Sequence, residues 1–542
     1  GLLNAVVPKD KLIETAKEWV KANPKAAAPW DQDKFKPPGG AVYSAGGMQV
    51  WPPASALLRK ETYNNYPSGR MLLRAAYEGL LVPFDLALDI ELRYFVYLLG
   101  TKEAAAMIRT FFISLQEINK GARRPAAVPK SNLKKIGVIG AGFMGAGIAY
   151  VTAKAGMDVV LIDRDQASAD KGKAHADSLV TKQMQKGRAK QADKDALLAR
   201  IHATADYAVL KDVDLVVEAV FENRDVKREA FAKTAAVIGK DVVFGSNTST
   251  LPITGLAEMF ERPKDFIGIH FFSPVDKMQL VEIIIGKETG DKALAVALDY
   301  VKAIKKTPIV VNDTRGFYAN RCVGNYLREG SIMLAEGVPA VLIENLARQV
   351  GMPVGPLALY DEVGIDLVWK IIEATKAEGG NVFADPAQES QVKMLVDKKR
   401  MGRKSEAGFY DYPKNDKKRL WPELTTLFKS KVAESFDYEE MQQRFLVTQA
   451  LEAARCVEEN VVTDMREADI GAIFGFGFAP FTGGPISWID SMGVKEFVAL
   501  SDGLAKKHGP RFAVPQLMRD MAAKGESFYT RFAPPKAKEK AA

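Results

Sequence analysis

A chain of 542 residues, 47% of them apolar, is too long for one core and too apolar for disorder, so roughly three or more globular domains are expected. The net charge of +8 raises nucleic acid as a partner, but the basic residues are spread along the chain and no RNA- or DNA-binding motif accompanies them. A polyanionic small ligand explains the bias as well, and no nucleic acid is expected. The two cysteines, Cys322 and Cys456, lack metal-ligand spacing, which predicts no metal site and fits a reducing, cytoplasmic setting.

Residues 1–40 read as a strand-like Leu-Leu-Asn-Ala-Val-Val, a turn at Pro8, a helix over 9–22 and a proline-rich linker, too little to bury a core. The amphipathic segment 11–21 lacks the uninterrupted apolar core of a signal peptide. The apolar stretch 71–99 carries Arg74, Glu78, Pro83, Asp85, Asp89, Glu91 and Arg93, so no transmembrane segment is expected. The chain begins on Gly1 rather than Met and reads as a fragment or a processed product. Helical patterns over 66–120 break at Pro83 and Gly100, and 121–129 is a linker. No catalytic constellation precedes residue 130.

The stretch 134–163 organises the rest of the chain. An apolar, β-branched run over 136–139 is the kind of strand a parallel sheet buries on both faces. Gly140, Gly142 and Gly145 come next at GxGxxG spacing. The first permits a tight turn, the second lets a pyrophosphate approach the backbone, and the third lets the helix pack on its strand. The phosphates then lie on a helix N-terminus. A helix over 146–155, a second strand over 159–162 and Asp163 at its end complete the pattern, with Asp163 placed for a ribose 2′-hydroxyl. An acid there repels a 2′-phosphate and favours NAD over NADP; Arg164 beside it is the residue that serves the phosphate in the opposite case.

From 134 to about 312 strands and helices alternate, which implies a parallel, doubly wound sheet. Charged helices are expected over 167–186 and 190–200, and strands over 214–220, 242–245, 266–269, 280–285 and 308–311. Ligands on such sheets bind beyond the carboxyl ends of the strands. Asp163, Glu222, the cluster Ser246-Asn247-Thr248-Ser249, and His270 all fall at those exits. Each alone is an ordinary helix cap; together they describe a site.

After residue 312 helices dominate, with a weak internal repeat. Asn320-Arg321, Glu336-Gly337 and Gly351-Met-Pro-Val-Gly-Pro356 recur as Gln443-Arg444, Glu459-Asn460 and Gly475-Phe-Gly-Phe-Ala-Pro480, about 123 residues on. The low-complexity tail 533–542 is expected to be disordered.

Four histidines narrow the search for a base near neutral pH. His175, His202 and His508 sit in charged or short polar contexts that suit surface or packing roles. His270 ends an apolar strand and precedes Phe-Phe-Ser-Pro274, a turnback that can set Glu282 beside the imidazole and fix its tautomer.

The segments Gly-Ala-Gly-Phe-Met-Gly-Ala-Gly, Val-Val-Glu-Ala-Val-Phe-Glu-Asn, Ser-Asn-Thr-Ser, His-Phe-Phe-Ser-Pro-Val-Asp-Lys-Met-Gln-Leu-Val-Glu, Asp-Thr-Arg-Gly-Phe-Tyr-Ala-Asn-Arg and Gly-Arg-Lys-Ser-Glu-Ala-Gly-Phe-Tyr closely resemble the L-3-hydroxyacyl-CoA dehydrogenases over about residues 131–530. The second helical repeat makes the chain look like the dehydrogenase part of the multifunctional α-subunit of fatty-acid β-oxidation complexes. The resemblance implies a Rossmann-like α/β NAD-binding domain over 131–314, all-α domains in tandem over 315–425 and 426–532, and a helical N-terminal segment. Residues 1–40 then look like the C-terminal end of an enoyl-CoA hydratase domain and 41–130 like its helical linker region. Hydratase activity is not expected from this chain alone.

By the same resemblance His270 matches the general base, Glu282 its acidic partner, Ser249 the hydroxyl on the substrate's 3-oxygen, and Asn320 a residue supporting substrate geometry. Gly140, Gly142, Phe143, Met144, Gly145, Asp163, Glu222, Lys227 and Asn247 fall with the cofactor site. Lys227 and Arg228 meet the coenzyme A phosphates or else form a solvated helix face. Ser273 and Arg315 stand where many members have Asn and Pro, which reads as a mark of the multifunctional branch. The implied partners are an acyl-CoA substrate, a thiolase subunit and a second copy of the chain. Two other readings are a different Rossmann 3-hydroxyacid dehydrogenase, with Cys322 as its only nearby thiol, and a scaffold or hydratase remnant that binds a thiolase.

Overall fold

The computed structural model describes residues 3–32, 35–377 and 385–533. Two compact units divide at Thr101 and Lys102. In the first, the helices Leu12–Ala22, Ala45–Thr62, Pro67–Gly79 and Phe84–Leu99 carry most of the structure, and the last two pack on one another with Tyr94 donating its hydroxyl proton to Glu78 at 2.5 Å. The expected strand near the N-terminus is absent over residues 3–7, and Leu2 lies outside the described residues. Leu3 and Val6 are exposed, and a lone strand without a partner leaves its backbone unpaired. The tail, 534–542, also lies outside the described residues.

Residues 102–130 belong to the second unit and not with 41–101. Their polar side chains explain it. Thr110 donates to the Gly483 carbonyl at 2.6 Å, Arg123 pairs with Glu467 at 2.9 Å, Glu117 with Arg466 at 2.5 Å, and Arg124 with Asp299 at 2.8 Å.

The second unit is built on an eight-stranded sheet, β1 (Lys135–Ile139), β2 (Asp158–Ile162), β3 (Ile201–Thr204), β4 (Leu215–Glu218), β5 (Val243–Ser246), β6 (Phe266–Phe271), β7 (Leu280–Ile285) and β8 (Thr307–Asn312), in the order β3-β2-β1-β4-β5-β6-β7-β8. Strands β1 to β6 are parallel, and the order reverses at β1, which pairs with both β2 and β4. That reversal opens the crevice in which doubly wound sheets hold ligands. The parallel run ends at the expected turnback: β7 runs antiparallel to β6, and β8 is parallel to β7. Eight residues between Phe271 and Leu280 are too few for a parallel crossover, so the chain turns back.

Alternate strand residues fill separate cores: Ile136, Val138, Val159, Leu161, Leu215 and Val217 one side, Ile139, Val160, Ile162 and Val216 the other. Each is essentially inaccessible, and full burial of such a side chain is worth about 1.5–3 kcal/mol.

Beyond β8 the long helices Ala319–Ala335 and Tyr438–Glu458 pack together and bear the repeat. Arg321 on the first donates to Glu452 at 2.7 Å and to Glu459 at 2.5 and 3.1 Å. Arg444 on the second donates to Glu329 at 2.6 Å and to Glu336 at 2.8 and 3.1 Å. The two sets are reciprocal, so the repeats are stitched by the same ion pairs in both directions. A small antiparallel pair, Tyr410–Asp411 with Arg419–Leu420, interrupts the helices of the first repeat.

Candidate functional site

The glycine loop leaves β1 and enters the helix Phe143–Lys154. Gly140 has φ +96°, and a Cβ there would lie 2.5 Å from the Ala219 carbonyl oxygen. A Cβ on Gly145 would lie 1.7 Å from the Gly140 oxygen. Those two glycines are dictated by the protein itself. A Cβ on Gly142 would meet no atom within 4 Å, so what requires a glycine there is not the chain. Bare backbone at a helix N-terminus, with open space before it, is the cradle a pyrophosphate fits. Phe143 stands exposed at the start of the helix with its ring 5.3 Å from that of His175, and Met144 packs against the core.

Asp163, one residue past β2, accepts the Ala141 N–H at 2.7 Å and the Arg164 N–H at 2.7 Å, which holds its carboxylate over the loop. Arg164 points to solvent and pairs with Asp165 at 3.2 Å. The corner presents an acid, the arrangement that suits a ribose with a free 2′-hydroxyl.

Three further exits, those of β4, β5 and β6, converge on the same edge. Glu218 ends β4 fully buried, accepting the Lys227 ammonium at 2.8 Å, the Ser246 hydroxyl at 2.7 Å and the Val220 N–H at 2.7 Å. Glu222 accepts the Thr248 hydroxyl at 2.7 Å, the Ser249 N–H at 2.9 Å and the Ser249 hydroxyl at 3.3 Å. Burial alone would push Glu222 up; the Lys227 charge at 3.3 Å and the hydrogen bonds from Thr248 and Ser249 outweigh it and hold the carboxyl below its usual range. Asn247, after β5, accepts the Phe271 N–H at 2.8 Å and so ties this exit to the one carrying His270.

Lys227 departs from the expectation of a phosphate contact or a solvated helix face. Its side chain is 1% exposed and its ammonium lies between Glu218 and Glu222, so it reaches no solvent phosphate and faces no solvent. Burial works to lower it, and the two carboxylates overcome that and raise it. Arg228 is exposed and engaged with Asp225 at 2.6 Å.

The β6–β7 register sets His270 opposite Glu282. His270 Nδ1 is 2.8 Å from a Glu282 oxygen, and both side chains are buried. The other Glu282 oxygen accepts the N–H groups of Tyr318 at 3.3 Å and Ala319 at 2.9 Å, at the start of the helix Ala319–Ala335. A carboxylate on Nδ1 fixes the proton there and leaves Nε2 as the basic nitrogen. Phe272 and Phe317 flank the imidazole, with ring centroids at 4.5 and 5.8 Å. Asn320, next on that helix, donates to the Ser249 carbonyl at 2.7 Å. Glu282 therefore joins the base to the helix that positions Ser249.

Glu218 is a site residue that spacing alone does not pick out, although an acid inside the apolar run Leu-Val-Val-Glu is its signal. Ser273 is exposed in the turn after His270. Cys322 is buried against the second cysteine, and burial pushes its thiol well up, which suits packing and not nucleophilic chemistry. Among the described residues no His, Cys, Asp and Glu cluster could hold a metal ion, and no helix is long and apolar enough to cross a membrane.

Comparison with known proteins bears on this geometry. Residues 135–314 match "3-hydroxyacyl-CoA dehydrogenase, NAD binding domain" and residues 316–412 match "3-hydroxyacyl-CoA dehydrogenase, C-terminal domain". The fatty acid oxidation complex subunit alpha of Shewanella amazonensis is 36% identical over 534 residues, covering 98% of this chain and 74% of that protein. Its counterpart from Shewanella frigidimarina has the same identity and coverage. Of solved structures, the Escherichia coli 3-hydroxybutyryl-CoA dehydrogenase is similar with a TM-score of 0.64 at 22% identity, over 73% of this chain and 99% of that one. The dehydrogenase part of multifunctional enzyme 1 from C. elegans is similar with a TM-score of 0.56 at 24% identity, over 76% and 96%. These two likenesses concern the fold.

Proposed function

Because this chain belongs to the 3-hydroxyacyl-CoA dehydrogenase family, among the fatty acid oxidation complex alpha subunits, we propose that it oxidises (3S)-3-hydroxyacyl-CoA to 3-oxoacyl-CoA with His270 as general base. The observation that carries this reading is the contact from His270 to Glu282 and on to the N–H groups of Tyr318 and Ala319. Nε2 takes the proton of the substrate 3-hydroxyl. The imidazolium so formed keeps its Nδ1 proton on Glu282, whose charge is held by two backbone N–H groups, so the charge is stabilised without movement.

Ser249 is held from both ends. Its N–H and hydroxyl lie on Glu222, its carbonyl on Asn320. The hydroxyl contact, at 3.3 Å, is long, which leaves that group able to turn to the substrate 3-oxygen. Lys227 acts through Glu222 as a positioning residue. Gly140, Gly142, Gly145 and Asp163 would hold NAD, and when bound there it supplies the hydride acceptor.

Reduction of NAD by (3S)-3-hydroxyacyl-CoAs of several chain lengths, repeated with NADP and with the (3R) substrates, tests the reading. Turnover is expected with NAD and the (3S) series, and strongly reduced rates with NADP. An absence of turnover with both cofactors would contradict it.

A further inference from the structure

We propose a second anion site, separate from the dinucleotide edge, in the cavity between residues 118–130 and the helix Asp291–Ala303, with a small phosphate-bearing anion as its ligand. The cavity holds about 200 Å³ and shares no residue with the glycine loop, Asp163 or His270. Six cationic side chains line it, Lys120, Arg123, Arg124, Lys130, Lys302 and Lys306, against two acids, Asp299 and Glu467.

Both acids are spoken for. Arg124 grips Asp299 at 2.8 and 2.9 Å, and its remaining N–H groups go to the carbonyls of Pro125, Val128 and Pro129. Arg123 pairs with the buried Glu467 at 2.9 Å and donates to Thr463 at 3.0 Å. Lys306, at the back, donates to the carbonyls of Val275 and Met278. The exposed side chains of Lys120, Lys130 and Lys302 at the rim make no hydrogen bond or ion pair among the described residues. Three ammonium groups thus surround a cavity in which no carboxylate is left to meet them. Burial pushes Lys306 down to about 8, with Asp276 opposing the shift and Lys154 adding to it.

A lysine is a compact point charge suited to phosphate oxygens, and pairs of this kind are strong where water is partly excluded. The volume decides the size of the ligand. It equals roughly six or seven waters at ~30 Å³ each, room for a phosphate or diphosphate group, and is below the ~300–1,000 Å³ that larger organic ligands occupy. The phosphate can come as a free inorganic ion or as part of a nucleotide.

Isothermal titration of the full chain, with NAD at saturation to fill the glycine loop, separates these. Inorganic pyrophosphate is the probe in one arm and adenosine 3′,5′-bisphosphate in the other. One saturable event is expected with at least one probe. It should weaken about tenfold or more in the double variant Lys130→Glu/Lys302→Glu and by a smaller factor in Lys302→Ala, with NAD affinity and dehydrogenase turnover unchanged. The tighter probe identifies the source. No saturable binding of either probe to the parent, or equal affinity in parent and double variant, overturns the proposal.

Discussion

In the first helical repeat Glu344 accepts the N–H groups of Leu357 and Ala358 at the head of the helix Pro356–Val363 and the hydroxyl of Tyr410, while Asp361 further along that helix accepts the N–H groups of Phe409 and Tyr410. In the second, Asp469 accepts the N–H groups of Ile486 and Ser487 at the head of Pro485–Met492 and the hydroxyl of Tyr529, while Asp490 accepts those of Phe528 and Tyr529. In each repeat one buried acid caps the equivalent helix and a second acid on that helix holds the equivalent aromatic segment. The difference lies at the residue before the stitching arginine. Asn320 donates to the Ser249 carbonyl, whereas Gln443 donates to Glu439 on the exposed face of its own helix. One copy of the scaffold faces the site; the other is its packing partner. At this position, then, the first repeat reaches the Ser249 loop and the second does not.

The largest effect expected on this comparison comes from the stitching pairs. Arg444→Ala leaves Glu329 and Glu336 with Arg511, and Arg321→Ala leaves Glu452 with Arg455, as the ion pairs among the described residues. Removing one partner of a buried pair costs about 3–5 kcal/mol. Both variants should lose stability to a similar extent in denaturant unfolding; a silent variant on one side would break the equivalence of the repeats.

The second prediction concerns pH. Burial, against hydrogen bonds from Ser487 and Tyr529, pushes Asp469 up to about 7. A carboxyl raised in the fold binds its proton more tightly folded than unfolded, so its contribution is fully present below the ordinary value of 3.8 and is lost as pH rises through about 7. Asp469→Asn should flatten the fall in unfolding free energy across that window by an amount of order 1–3 kcal/mol, read by denaturant unfolding at several pH values. An unchanged slope would show that Asp469 stays ionised in the fold.

The third prediction is smaller and more selective. Asn320→Ala should reduce kcat/KM by about 10- to 100-fold, the worth of one well-placed hydrogen bond in a partly buried site, with little change in stability. Gln443→Ala should change neither activity nor stability beyond about 0.5 kcal/mol. Equal losses in the two would mean that the second repeat also serves the site.

Residues whose position follows from spacing are legible in the sequence. The loop Gly140 to Gly145, Asp163 at a strand end, and His270 facing Glu282 across a short turnback all depend on local periodicity. The repeat is visible there only as a faint pattern of turns, because its structural content is long-range: Arg321 meets carboxylates on another helix. Lys227 escapes a sequence reading for the same reason. Its helix shows where it stands along the chain, but the acids that bury it, Glu218 and Glu222, come from a strand and a loop. The attachment of residues 102–130 to the second unit likewise rests on partners far away in sequence.

The central claim is that His270 moves the substrate proton while the glycine loop holds the cofactor independently. The most direct measurement is turnover of His270→Ala with (3S)-3-hydroxyacyl-CoA and NAD, alongside its NAD affinity. A fall in kcat of about 10²- to 10⁴-fold with NAD affinity unchanged is predicted. Near-normal turnover in that variant would remove His270 from the mechanism.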